Sequence, residues 1–133
     1  MTTAVSVQIH DETSTGERTR TFSLDFLTAE ITVAELIHKR VFEEVAEYNR
    51  TQPECFAGLV QPTDAERTRN GFRLRERRTL DAEAQALRAL DAFMRNGFIL
   101  IVDDRQVETL NEVVALRFDT EISFIKLLPL VGG

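Results

Sequence analysis

Pro129-Leu130-Val131-Gly132-Gly133 is the stretch whose residue types and spacing point most directly to chemistry. Glycine has no Cβ and accepts conformations closed to other residues. Two in succession make a tail thin enough to thread a narrow passage and present a carboxyl group there. Proline lacks a backbone N–H, so Pro129 ends a preceding strand and sends the tail off the sheet. Leu130 and Val131 between the proline and the glycines are apolar.

Other reactive side chains form no constellation. Cys55 is the single cysteine. Its neighbours Pro53, Glu54 and Phe56 include no cation to stabilise a thiolate, so a half-buried structural thiol is expected. One cysteine and two histidines cannot supply a Cys/His zinc site of the usual spacing. His10 falls at a strand end and His38 on a helix, neither beside a nucleophile in sequence. Asp103-Asp104 reads as a strand-ending turn, so no metal site is expected. Glu43, Glu44 and Glu47 read as the wet face of a helix. Arg67, Arg69, Arg73, Arg75, Arg77 and Arg78 make a positive cluster diluted by Asp64, Glu66 and Glu76, which reads as a solvated or interface loop.

The 133 residues suit one domain, and 43% hydrophobic with 29% charged residues is enough to bury a core. A net charge of −6 argues against a general nucleic-acid binder. The run Phe98 to Val102 falls far short of the roughly 20 apolar residues that span a bilayer. Met1 to Gln8 has no basic flank and no long apolar stretch, so a cytoplasmic location is expected. Lysine occurs only at 39 and 126 against 14 arginines. If the chain is joined to amines, it offers few to copies of itself.

The elements that must position the tail follow from periodicity. Ala4 to His10 alternates apolar and polar, as does Thr21 to Phe26, and the polar stretch Asp11 to Arg18 joins them as a turn. Thr32 lies three residues before Glu35, the spacing of a capping box. Val33, Leu36, Ile37, Val41, Val45 and Tyr48 then give one helical stripe that ends near Asn49 or Arg50. Thr51 to Arg78 is irregular. A second helix is expected over Leu80 to Arg95, with Leu80, Leu87, Leu90, Phe93 and Met94 on its stripe, alanines in the gaps and Asn96-Gly97 as its stop. Leu80, Leu87, Leu90 and Phe93 are either core or a candidate assembly surface, with core completion favoured. Phe98 to Val102 reads as a strand buried on both faces. Asp103 to Gln106 reads as a turn, Val113 to Leu116 as a short strand or turn, and Glu121 to Leu128 as a strand with Ile122 and Phe124 on one face, a row that Lys126 and Leu128 would continue. A hairpin, a helix and a final apolar strand imply an α+β mixed sheet, with the last strand beside the first and the helix as the crossover.

This order resembles the β-grasp fold of ubiquitin-like proteins. Asp119-Thr120-Glu121-Ile122-Ser123-Phe124, followed by Pro129-Leu130-Val131-Gly132-Gly133, is similar to the end of the small sulfur-carrying subunit of molybdopterin synthase. Asp103 to Val107 resembles the turn and short strand that precede that ending. The likeness covers 4–50 loosely and 98–133 more closely. The segment 51–97 has no counterpart and reads as a helix-containing insertion in a single β-grasp domain with one main helix. The added length resembles bacterial ubiquitin-like proteins paired with ubiquitin-type activating enzymes, some of them in antiviral defence.

The resemblance implies a carrier or substrate that is not itself an enzyme. An adenylating partner, using ATP and Mg²⁺, would join the carboxyl group of Gly133 to AMP. A partner cysteine would then form a thioester for transfer to a target amine. Alternatively, a sulfide donor would form a thiocarboxylate for molybdopterin or thiamine-type synthesis. Gly132 and Gly133 would be the activated end, with Pro129, Leu130 and Val131 as its partner-binding tail. No cofactor would be resident, and a homo-oligomer is compatible. Ubiquitin's arginine before the glycines has no match here. A non-covalent β-grasp scaffold is the reading from a different class.

Overall fold

The computed structural model describes residues 4–127 of the chain. It is an α+β structure with two helices and a mixed five-stranded sheet. The elements in chain order are β1 (Val5–Thr13), β2 (Arg18–Phe26), β3 (Glu30–Thr32), α1 (Val33–Thr51), β4 (Ala65–Thr68), β5 (Gly71–Leu74), α2 (Ala82–Met94), β6 (Phe98–Val102), β7 (Arg105–Val107), β8 (Val113–Ala115) and β9 (Glu121–Lys126). The chain divides into two compact units, Met1–Glu35 with Phe93–Gly133, and Leu36–Ala92.

The first unit holds the large sheet in the order β2-β1-β9-β6-β7. The final strand lies parallel to β1, as expected, with Ile9 opposite Ile122. On its other side β9 runs antiparallel to β6, with Leu100 opposite Phe124. Strict alternation puts Val7, Ile9, Leu24, Leu100, Ile122 and Phe124 on one buried face. Phe98 extends that face, 5.8 Å by ring centroids from both Phe93 and Phe124. A small second sheet pairs β3 with β8 through Ile31 and Val114.

Two boundaries and one burial pattern differ from the sequence expectation. The β1–β2 ladder runs through most of the expected turn, because opposite charges face each other where the apolar alternation ends. Asp11 is opposite Arg20, and Glu12 is opposite Arg18. The turn shrinks to four residues, closed by a hydrogen bond from Gly16 N to Thr13 O, with Gly16 at φ 92°. At the other end, Asp103 and Asp104 both take positive φ, 46° and 68°. That is the signature of a two-residue hairpin turn, and it frees Arg105 and Gln106 to pair with β6. Finally, β6 is not enclosed on both faces: Ile99 and Ile101 are half-buried.

The capping box forms as its spacing predicts. Glu35 N donates to Thr32 Oγ1 at 3.1 Å, and Thr32 N donates to Glu35 Oε1 at 3.2 Å. Two further donors at the start of α1 are met by the chain before β8. Val33 N reaches Glu112 O at 3.0 Å, and Ala34 N reaches Leu110 O at 2.9 Å.

In the second unit Leu36, Ile37, Val41, Val45 and Tyr48 are all buried, as the α1 stripe predicted. Glu44 corrects the expected wet face. It is buried with Arg40, which is fully inaccessible, and also accepts Leu59 N at 3.3 Å. The segment read as irregular contains the β4–β5 hairpin. Arg69 and Asn70 make its turn and Gly71 opens β5 at φ 128°, so the Asn70-Gly71 pair that the reading passed over marks the turn. Phe56 extends this ribbon through paired backbone bonds with Phe72, of 2.7 and 2.9 Å.

The second helix starts at Ala82, capped by Asp81, whose Oδ1 accepts Glu83 N at 3.0 Å. Its buried positions are Gln85, Ala86, Ala89 and Phe93, while Leu87 and Met94 are exposed. Ala86 and Ala89, expected to fill gaps, form the packed face instead.

Candidate functional site

The sequence-derived site residues Pro129, Leu130, Val131, Gly132 and Gly133 lie outside the described residues, as does Leu128. The structure describes the strand that leads to them. Strand β9 occupies the centre of the sheet and ends at Lys126, which is opposite Thr13 of β1 and Phe98 of β6. A ladder on both sides fixes the direction in which the chain arrives.

Charged groups line that end of the β1–β9 pair. Asp11 continues the row of Val7 and Ile9, and its side chain is 3% exposed. Lys126 Nζ lies 3.8 Å from Asp11 Oδ2. On the other face of the sheet, Ser123 Oγ donates to Glu12 Oε2 at 2.8 Å, and Arg18 Nε sits 3.5 Å from the same oxygen. These pairs tie β9 to β1 and β1 to β2 by side chains as well as by the ladder. The arrangement holds a strand end firmly. It contains no nucleophile–base pair.

His10 is buried at 4% exposure, with Nδ1 3.0 Å from Thr21 Oγ1. Its Nε2 lies 3.9 Å from Glu121 Oε1, beyond hydrogen-bond reach, and has no hydrogen-bond partner. The ring is therefore oriented from one side only, and hydroxyl, imidazole and carboxylate do not make a relay. His38 stacks on Phe42 at 4.1 Å, and its Nε2 is 3.6 Å from Glu83 Oε2. Cys55 is half-buried, with Sγ 3.4 Å from Thr68 Oγ1. Among the described residues, no group of three or more His, Cys, Asp and Glu could hold a metal ion. None of the described helices is long and apolar enough to cross a membrane.

The arginine cluster is more ordered than a solvated loop. Arg73 donates to Glu66 across the hairpin, its Nε at 3.0 Å. That hydrogen bond and the adjacent positive charge hold the Glu66 carboxyl below its ordinary range. Arg77 donates to Gln52 O at 3.0 Å, and Arg78 donates to Thr63 O. The Arg67 guanidinium lies 5.7 Å from the Phe72 ring centroid. Asn70-Gly71 was the signal that this segment is a built ribbon.

Of the four candidate assembly residues, Leu80 and Phe93 are each only 6% exposed and belong to the interior. Leu90 is half-buried, and Leu87 is 60% exposed. The sequence reading missed Phe118. It is 90% exposed in the loop before β9, and an isolated phenylalanine carries no periodic signal of its placement.

Comparison with protein-family models, curated proteins and solved structures found no match.

Proposed function

We propose that this chain is a β-grasp carrier of the ubiquitin-like kind, a protein modifier activated at the Gly133 carboxyl group. One observation carries the reading. Strand β9 is the central strand, parallel to β1, and the sequence that follows it is Leu-Leu-Pro-Leu-Val-Gly-Gly. A central strand is the most firmly held part of a sheet. A proline just beyond it hands the chain over to a tail that a partner enzyme can take up.

In this reading the Gly133 carboxylate attacks the α-phosphate of ATP in the partner's site, and pyrophosphate leaves. A partner thiolate displaces AMP and forms a thioester. A target amine then displaces the thiol, leaving an amide. The chain contributes shape, the Leu130–Val131 grip and the carboxyl group. Sulfide in place of the thiolate gives a thiocarboxylate and a sulfur carrier, the reading favoured by the likeness of the Pro-Leu-Val-Gly-Gly ending to the molybdopterin synthase subunit.

Mass spectrometry of the C-terminal peptide, on protein isolated from its own host, tests this. Gly133 in amide linkage to another protein's amine supports the modifier. A thiocarboxylate replaces it with the sulfur carrier. A chain continuing past Gly133 in every molecule removes the carboxyl group and overturns both. Deleting Gly133 is expected to abolish ATP–pyrophosphate exchange by the partner enzyme. Full biological activity without Gly132 and Gly133 assigns a non-covalent scaffold instead.

A further inference from the structure

Charge is divided unevenly along the chain. The segments Met1–Glu35 and Phe93–Gly133 together carry 12 Asp and Glu against 6 Lys and Arg. Leu36–Ala92 carries ten of each, and six of its cations fall between Arg67 and Arg78. The surplus of negative charge thus lies wholly outside the unit that holds the arginine ribbon.

The ribbon presents a defined surface. Arg73, Arg77 and Arg78 are engaged by Glu66 and by backbone carbonyls. Arg69 and Arg75 are exposed and, among the described residues, make no side-chain hydrogen bond or ion pair. Arg67 lies beside the half-buried Phe72 ring. At the turn, Gly71 lies so near the Phe56 backbone that a Cβ there would come within 2.5 Å of Phe56 O.

The acidic unit has an equally defined counterpart. The Asp103–Asp104 turn is fastened to the start of β9: Glu121 N donates to Asp103 Oδ1 at 2.9 Å, and Asp103 N donates to Glu121 O at 3.0 Å. Asp103, Asp104, Asp119 and Glu121 are all exposed. Asp103, Asp104 and Asp119 make no ion pair among the described residues. Phe118 stands beside Asp119 at 90% exposure, an aromatic ring set at an acidic end.

From this complementarity we infer that the acidic end of one copy docks on the arginine ribbon of a second copy of this chain. Asp103, Asp104 and Asp119 meet Arg69 and Arg75, and Phe118 offers its ring to the guanidinium groups around Phe72. The contact is heterologous, joining two different patches. Isolated surface ion pairs contribute little. The contact therefore depends on several pairs acting with one desolvated aromatic ring, and it is sensitive to salt.

Sedimentation of the purified full chain tests it at about 0.1 M and about 1 M salt, across which the screening length falls from about 10 Å to about 3 Å. Association is expected at the lower salt and a monomer at the higher. R69E/R75E and D104N/D119R are each expected to weaken association at least about tenfold. Their circular dichroism and melting should match the parent, because all four side chains are exposed and make no side-chain hydrogen bond among the described residues, and asparagine tolerates the positive φ of Asp104. An equimolar mixture of the two variants regains association, since one retains the acidic end and the other the ribbon. A monomer under all conditions overturns the inference, and so does association that the substitutions leave unchanged. A monomer whose ribbon instead binds a labelled oligonucleotide overturns it in favour of nucleic acid.

Discussion

Asn49 and Leu80 exchange two hydrogen bonds. Asn49 Nδ2 donates to Leu80 O at 3.0 Å, and Leu80 N donates to Asn49 Oδ1 at 2.8 Å. A carboxamide here serves both backbone groups of Leu80, tying the last turn of α1 to the approach to α2. Leu80 is buried, so its backbone has little water to turn to. Asn49→Ala is expected to lower unfolding stability by about 2 kcal/mol. Asn49→Asp keeps the acceptor but sets a carboxylate oxygen against Leu80 O, so it should cost at least as much. Urea denaturation of the three proteins checks the order.

Gly71 and Gly16 both have positive φ, 128° and 92°, yet their substitution should differ in cost. A Cβ on Gly71 lies 2.5 Å from Phe56 O and 3.1 Å from Phe56 C, so the backbone itself must move. At Gly16 nothing lies within 4 Å. Gly16→Ala therefore bears the conformational cost alone, about 1 kcal/mol. Gly71→Ala is expected to cost about 3 kcal/mol and to raise amide exchange at Phe56 and Phe72. Equal losses for the two variants would show that the Phe56 contact does not matter.

Periodicity made the sheet legible. Alternation in β1 and β9 put Ile9 and Ile122 on one face, and only a central pairing buries both. The Thr32–Glu35 cap was readable because its geometry is local. The rest failed where tertiary surroundings overrule local pattern. Glu44 sits among charged neighbours in sequence and is nonetheless buried, because Arg40 one helical turn away and the Leu59 amide meet it. Leu87 fits an apolar stripe and is exposed, because small residues at Ala86 and Ala89 form the packed face. Of the candidate site, the structure describes the strand that delivers the tail, while its glycines lie outside the described residues.

Glu66 gives the ribbon a pH dependence of known sign. The hydrogen bond from Arg73, and then its charge, depress the folded-state carboxyl below the ordinary 4.5. A depressed carboxyl contributes its stabilisation above the ordinary value and loses it as pH falls through the folded one. Amide protection around Thr68 and Phe72 is thus expected to hold near neutrality and to drop once pH passes below 4.5. Both groups are exposed, so high salt should shrink the change. Glu66→Gln should be flat over the same range. A parent protein as flat as the variant would mean that the pair does not hold the hairpin.

Arg40 and Glu44 test whether charge or packing dominates the interior of the second unit. Their side chains are 0% and 4% exposed, with Arg40 Nε 3.4 Å from Glu44 Oε1. Removing one partner leaves a charge in a place with little water, and such losses run to about 3–5 kcal/mol. Arg40→Met and Glu44→Leu should each fall in that range. Replacing both removes the two buried charges together while leaving Leu59 N without its acceptor at 3.3 Å. The double variant is therefore expected to cost less than the sum of the singles, though still about 1–3 kcal/mol for the orphaned amide. Additive losses in a double-mutant cycle would mean that the two groups act independently. A double variant more stable than the parent would mean that packing outweighs the pair even with the Leu59 amide unmet.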